Sequence, residues 1–234
     1  MKIKLLLVLI ALLGIGSGYL LGGGHNEDVA ARSTTMPANP YIVYLTPPDV
    51  THGVLTSGRA QTQGMVIRQS WADVRKAAQT QPLDALLVER SKFAELSEDD
   101  RTWLRRQIEE GVVVVGVGID IEEFSAALGL PNLRAPGEAL IPIGDDGYVL
   151  FQALLLGAPE DVQAMRDANW LERSILNDHV QIDTKNPLNG EWGRSRGKLT
   201  TEQDVEAFHV DLTGWIEGVY KNRTDFQQLS VDGR

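Results

Sequence analysis

The 234-residue chain has no cysteine. That absence excludes a disulfide, a thiolate zinc site, an iron–sulfur cluster, a thiol nucleophile and a lipidated N-terminal cysteine. Aromatic residues are sparse at 6%, and basic residues are outnumbered, with 22 Lys and Arg against 32 Asp and Glu for a net charge of −10. A nucleic-acid-binding domain needs a basic face, so this balance argues against a nucleic-acid partner. No P-loop, H-E-x-x-H or G-x-S-x-G motif occurs, and there are no internal repeats. The composition implies neither a metal nor an organic cofactor. What the chain does have is enough length and apolar content (43%) for a sizeable core.

The first 24 residues, MKIKLLLVLIALLGIGSGYLLGGG, place Lys2 and Lys4 before an apolar run over 3–21. At about 1.5 Å per residue such a helix covers roughly 28 Å, the hydrocarbon thickness of a bilayer. The lysines favour a cytoplasmic N-terminus and an extracytoplasmic domain. The expectation is therefore a transmembrane signal-anchor over 1–24, with the membrane as a partner through residues 3–21. A cleaved leader is the alternative, with small residues at Val29-Ala30-Ala31 and Gly14-Ile15-Gly16. Beyond residue 24 the charge is −12, which suits a soluble domain kept off anionic headgroups. Residues 22–40 are Gly-, Ser-, Thr- and Pro-rich without apolar periodicity, and 25–40 read as a flexible tether.

An α/β core is expected over 41–157. Tyr41–Leu45 is a β-branched and aromatic run closed by Thr46-Pro47-Pro48, and residues 50–64 read as a polar loop. Met65–Arg68 is a short strand, and Ser70 with Asp73 opens a helix that Pro82 ends. Leu83–Val88 and Val112–Val115 are near-continuous apolar strands of the kind a sheet covered on both faces requires. Between them Ser97 caps a helix with Glu98, Asp99 and Asp100 in its first turn and Gly111 after its end. Asp120 with Glu123 starts the next helix, stopped by Gly129 and Pro131. Alternating strands and helices with short links predict a three-layer, mostly parallel, doubly wound sheet of flavodoxin or Rossmann type.

Residues 158–234 are expected as a C-terminal helical extension packed on that core. Tyr148–Leu156 is a final strand or a strand running into a helix, and a helix runs from Pro159 to about Leu176. Residues 181–199 show no period and read as a long loop. Thr201 with Asp204 opens a last helix whose Val205, Phe208, Leu212, Trp215, Ile216 and Val219 form an apolar stripe. His209 lies beside that stripe as a packing histidine. His25 lies in the tether, and Asp178, His179 and Asp183 are weak as a metal set.

In an open α/β sheet, ligands sit at the carboxyl ends of the strands. That edge should display Thr46, Pro47, Asp49, Arg68, Glu89, Arg90, Ser91, Gly116, Gly118 and Asp120. Asp49, Glu89 and Asp120 have the chemistry of a cation site or a carboxylate pair, and Ser91 that of an exposed nucleophile. These four are the candidate ligand-binding residues, and none carries a catalytic signature. Gly116-Val117-Gly118 begins a dinucleotide fingerprint, but Ile121 stands where G-x-G-x-x-G needs glycine. Two glycines for a tight strand-to-helix turn explain the pair.

Asp84–Asp120, DALLVERSKFAELSEDDRTWLRRQIEEGVVVVGVGID, resembles class I glutamine-amidotransferase-like domains of the flavodoxin-like group. The shared features are Leu96-Ser97-Glu98, Leu104, Gly111 and the Val112–Val115 strand. Active members of that group carry a cysteine just after the corresponding strand, where this chain has Gly116-Val117-Gly118-Ile119. The resemblance therefore implies a non-catalytic relative, a binding or sensory domain of a bacterial membrane protein with an envelope protein as partner. The alternative is a hydrolase or transferase that uses carboxylates at the strand ends.

Overall fold

The computed structural model describes residues 32–134, 144–177 and 188–231. The chain divides into two units, Met1–Arg32 and Ser33–Arg234, and every element below belongs to the second. The expected transmembrane segment and His25, Asp178, His179 and Asp183 lie outside the described residues. Among the described residues no helix is long and apolar enough to cross a membrane.

The protein is an α/β structure built on a six-stranded mixed sheet. Its strands are β1 (Ile42–Leu45), β2 (Val66–Arg68), β3 (Ala85–Glu89), β4 (Val113–Val117), β5 (Gly147–Leu156) and β6 (Asn189–Lys198), in the order β2-β1-β3-β4-β5-β6. The first four are parallel. β5 runs antiparallel to β4, and β6 antiparallel to β5. The helices are α1 (Ser57–Thr62), α2 (Trp71–Thr80), α3 (Arg90–Phe93), α4 (Glu98–Glu109), α5 (Ile121–Leu128), α6 (Pro159–Asp167), α7 (Trp170–Ile175) and α8 (Glu202–Val231).

Strand alternation sends successive side chains to opposite faces, and two cores result. On one face Val43, Leu86, Val88, Val114 and Phe151 pack under α2–α7, through Val74, Leu104, Ile108, Phe124 and Leu171. On the other, Ile42, Tyr44, Leu87, Val113 and Val115 pack under α1 and α8, through Ala60, Val205, Phe208, Leu212 and Ile216. The expected caps are in place. Ser70 accepts from the Asp73 amide, Ser97 from the Asp100 amide, and Asp120 from the amides of Glu122 and Glu123. Gly129 closes α5 in the left-handed conformation.

Several segments differ from expectation. Residues 50–64 contain α1, for which Thr56 is the N-cap. The helix expected over 159–176 breaks at Asn169, whose φ of 53° ends α6 and starts α7. The loop expected over 181–199 holds β6, so the 158–234 segment also supplies the sixth strand. Each glycine of β6 that lies under a ring is a seat for it: Gly190 for Trp170, Gly193 for Trp215, Gly197 for Tyr148. A Cβ at any of the three would come within 2.6–2.7 Å of ring atoms.

Part of the segment expected as a tether makes contacts with the sheet domain. The Thr224 hydroxyl donates to the Thr34 carbonyl (3.0 Å), and the Tyr41 amide donates to Asp84 Oδ2 (2.7 Å). Met36 packs against the α8-side core. Residues 33–40 therefore lie docked at the amino edge of the sheet. There the Tyr220 hydroxyl donates to Asp84 Oδ1 (2.6 Å), and the buried Arg223 donates to the Glu110 carbonyl (2.5 Å). The α8 helix spans the sheet from carboxyl to amino edge and continues to Val231.

Candidate functional site

The carboxyl edge gathers two of the four candidate residues and sets two apart. Glu89 ends β3 and is 5% exposed. A carboxylate that deep in the fold must be hydrogen-bonded. Its Oε2 accepts from the Ser91 amide (2.9 Å) and from the Ser91 hydroxyl, which makes it the N-cap of the one-turn helix α3. Its Oε1 faces Nε2 of His52 at 3.2 Å. Asp49 is exposed on the loop after β1, and Asp120 spends its carboxylate on the α5 N-terminus. Among the described residues no group of three or more His, Asp and Glu is placed to hold a metal ion.

His52 is the residue that the sequence did not single out. It lies 37 positions from Glu89 and 93 from Asp145, inside a polar stretch with no periodic signal. It is 6% exposed, and Nδ1 lies 2.5 Å from the Asp145 carbonyl oxygen. A carbonyl only accepts, so in this contact Nδ1 is the protonated ring nitrogen. Gly118, at φ 73°, lets the backbone pass flat against this ring; a Cβ there would sit 2.2 Å from Cε1. Gly116 likewise makes room for Ile119 and Phe124. Both glycines serve the turn and its packing.

Around this pair the loops are stitched together. The Gly53 amide donates to Asp146 Oδ1 (2.5 Å), the Leu199 amide to the Asp146 carbonyl (2.7 Å), and the Gly118 amide to the Gly147 carbonyl (2.8 Å). Arg90 reaches across with paired bonds to Glu123 (3.0 and 2.8 Å) and a longer one to Asp145 (3.2 Å). The Glu123 contact is what chiefly raises the Arg90 pKa. Tyr44 lies beneath, wholly buried, and its hydroxyl makes no well-formed hydrogen bond. Burial pushes its pKa up, a weak interaction with Thr46 works against that, and the Glu89 charge adds to it.

The arrangement has limited chemical reach. A serine nucleophile needs a base that can take its proton and donors aimed at a developing oxyanion. Ser91 touches Glu89, but that carboxylate also accepts from the Ser91 amide and faces His52, and His52 has no contact with Ser91. At the turn after β4 stands Gly118, which carries no functional group. His209, expected as a satisfied packing histidine, is half-buried with Nδ1 lacking a partner, and it lies on α8 away from this cluster.

Comparison of the chain with protein families, with curated proteins and with solved structures returns no match.

Proposed function

We propose that this protein is a membrane-anchored, extracytoplasmic α/β domain that acts as a non-catalytic interaction module, held by residues 3–21. The strand order 2-1-3-4-5 is that of a flavodoxin-like sheet and supports the kinship with glutamine-amidotransferase-like domains, with the departure that β5 runs antiparallel and β6 is added beyond it. One observation carries the functional reading. The polar side chains that this fold would use for chemistry are consumed in holding its own loops: Glu89 caps α3 and meets His52, Asp120 caps α5, and Arg90 ties α5 to the 144–147 turn. A site committed in this way offers a rigid edge, and its buried carboxylate, Glu89, is already engaged.

The test is affinity purification of the tagged full-length chain from gently solubilised native membranes. A stoichiometric companion is expected, and its recovery should survive Ser91→Ala. A second reading, a hydrolase, is favoured by the contact of the Ser91 hydroxyl with Glu89. It would prevail if no companion were recovered and a turnover activity of the purified chain vanished in Ser91→Ala and Glu89→Gln.

A further inference from the structure

The open edge of the sheet at β2 carries an unusual charge arrangement. Val66 and Arg68 pair with Val43 and Leu45, and the Arg68 carbonyl accepts from the Thr46 amide (3.0 Å). Strand alternation therefore turns the peptide groups of Ile67 away from β1, toward solvent. A groove of about 680 Å³ runs along this edge between α1 and α2, lined by Tyr41, Gln61, Ile67, Arg68, Gln69 and Lys76. That volume is within the roughly 300–1,000 Å³ of ligand clefts.

Several cations of the described residues face a carboxylate, as in Arg59–Glu202, Arg75–Asp100, Arg101–Glu98, Arg105–Glu172 and Arg166–Glu109. With 32 acids for 22 bases, such pairing is easily met. Arg68 and Lys76, both lining the groove, form no ion pair among the described residues. Arg68 spends one donor on the Ile67 carbonyl beside it (2.9 Å), which leaves most of its planar fork unused. The one acid that lines the groove, Asp73, is held by the Ser70 hydroxyl (2.7 Å).

We propose that this groove binds an extended acidic segment of a partner protein, its carboxylates meeting Arg68 and Lys76 and its backbone lying along β2. The proposal rests on the interaction-module reading and names the surface and the chemistry of the partner. An open cleft beside a strand edge suits an extended chain. Two unpaired cations in an otherwise acid-rich domain select for carboxylates, and Arg68 offers the bidentate geometry they prefer.

The probe is a fluorescein-labelled octapeptide of alternating Glu and Val, titrated with the full-length chain in detergent micelles, beside the same peptide with Gln for Glu. The acidic peptide should bind about tenfold or more tightly than the amide peptide, and Arg68→Glu/Lys76→Glu should abolish that preference. Lys221→Glu, a charge change on the exposed side of α8, should leave it intact. Equal binding of the two peptides, no binding of either, or an equal loss in Lys221→Glu would overturn the proposal. So would complete displacement by inorganic phosphate, which would mark a simple anion site. If the native companion is captured equally by the wild type and by Arg68→Glu/Lys76→Glu, the groove is not its dock, although the module reading stands.

Discussion

The strands β4 and β6 lie two places apart in one sheet and run in the same direction, yet they are strands for different reasons. β4 is Val113-Val114-Val115-Gly116-Val117, buried throughout, and its β-branched side chains fill both cores. Propensity, hydrophobicity and burial all agree there. β6 is Asn189-Gly190-Glu191-Trp192-Gly193-Arg194-Ser195-Arg196-Gly197-Lys198, with three glycines and four charges and no fully buried residue. Nothing local favours a strand. What holds it is its ten-residue pairing with β5 and the rings that settle on its glycines. Asp211 of α8 adds a polar clamp, accepting from the Ser195 hydroxyl (3.0 Å) and the Trp215 indole (3.1 Å). One half of the sheet is written in side-chain character, the other in the absence of side chains.

The contrast can be broken most forcefully in the parallel half. Leu87→Ala, at a fully buried position in β3, should lower the unfolding free energy by about 3 kcal/mol, read from urea denaturation. A loss under about 1 kcal/mol would mean that the parallel core collapses around the cavity instead of depending on its packing.

The antiparallel half calls for the opposite change, a side chain added. Gly193→Val should destabilise by about 2 kcal/mol, because its Cβ meets the Trp215 ring at 2.6 Å. Combining it with Trp215→Ala should give a loss smaller than the sum of the two single losses by about 1 kcal/mol. Strict additivity in that cycle would show that the ring is not what sets the glycine.

The smallest effect is a pH dependence at the junction of the halves. Burial, followed by the charge of Asp211 and the hydrogen bond to it, pushes the Tyr148 pKa up to about 12. The folded state thus favours the neutral phenol. Its contribution is complete below the unfolded tyrosine pKa of about 10 and is lost as pH rises from there through the folded value. Tyr148→Phe should flatten the fall of stability over that alkaline range. An unchanged slope would remove Tyr148 from the account.

These differences explain what could be read from the residues in advance. The parallel strands, the caps at Ser70, Ser97 and Asp120, and the opening of α8 at Thr201 follow local rules, and each is where those rules put it. Asp204, which accepts from the Thr200 hydroxyl and the Thr201 amide, has its pKa lowered by those bonds, the Thr200 hydroxyl foremost. The β6 strand was hidden because its cause lies on other elements, in Trp170, Trp215 and Tyr148. The candidate site was half visible for the same reason. Strand ends locate Glu89 and Ser91, but a histidine in a polar stretch acquires meaning only when β3 and the turn before β5 close around it. Asp49 lies exposed on the loop after β1, apart from Glu89 and Ser91.

The helix α8 has a consequence for how the chain comes to be folded. It alone supplies Val205, Phe208, Leu212 and Ile216 to the face that carries Ile42, Tyr44, Leu87, Val113 and Val115. Those strand residues are synthesised first and covered last. Until residues 202–231 arrive, that apolar sheet face lacks its long helical cover and has only the short α1 beside it. Such a surface invites chaperones or another chain. A product that ended before Thr200 would keep every parallel strand and still lack the helix that covers one face of them.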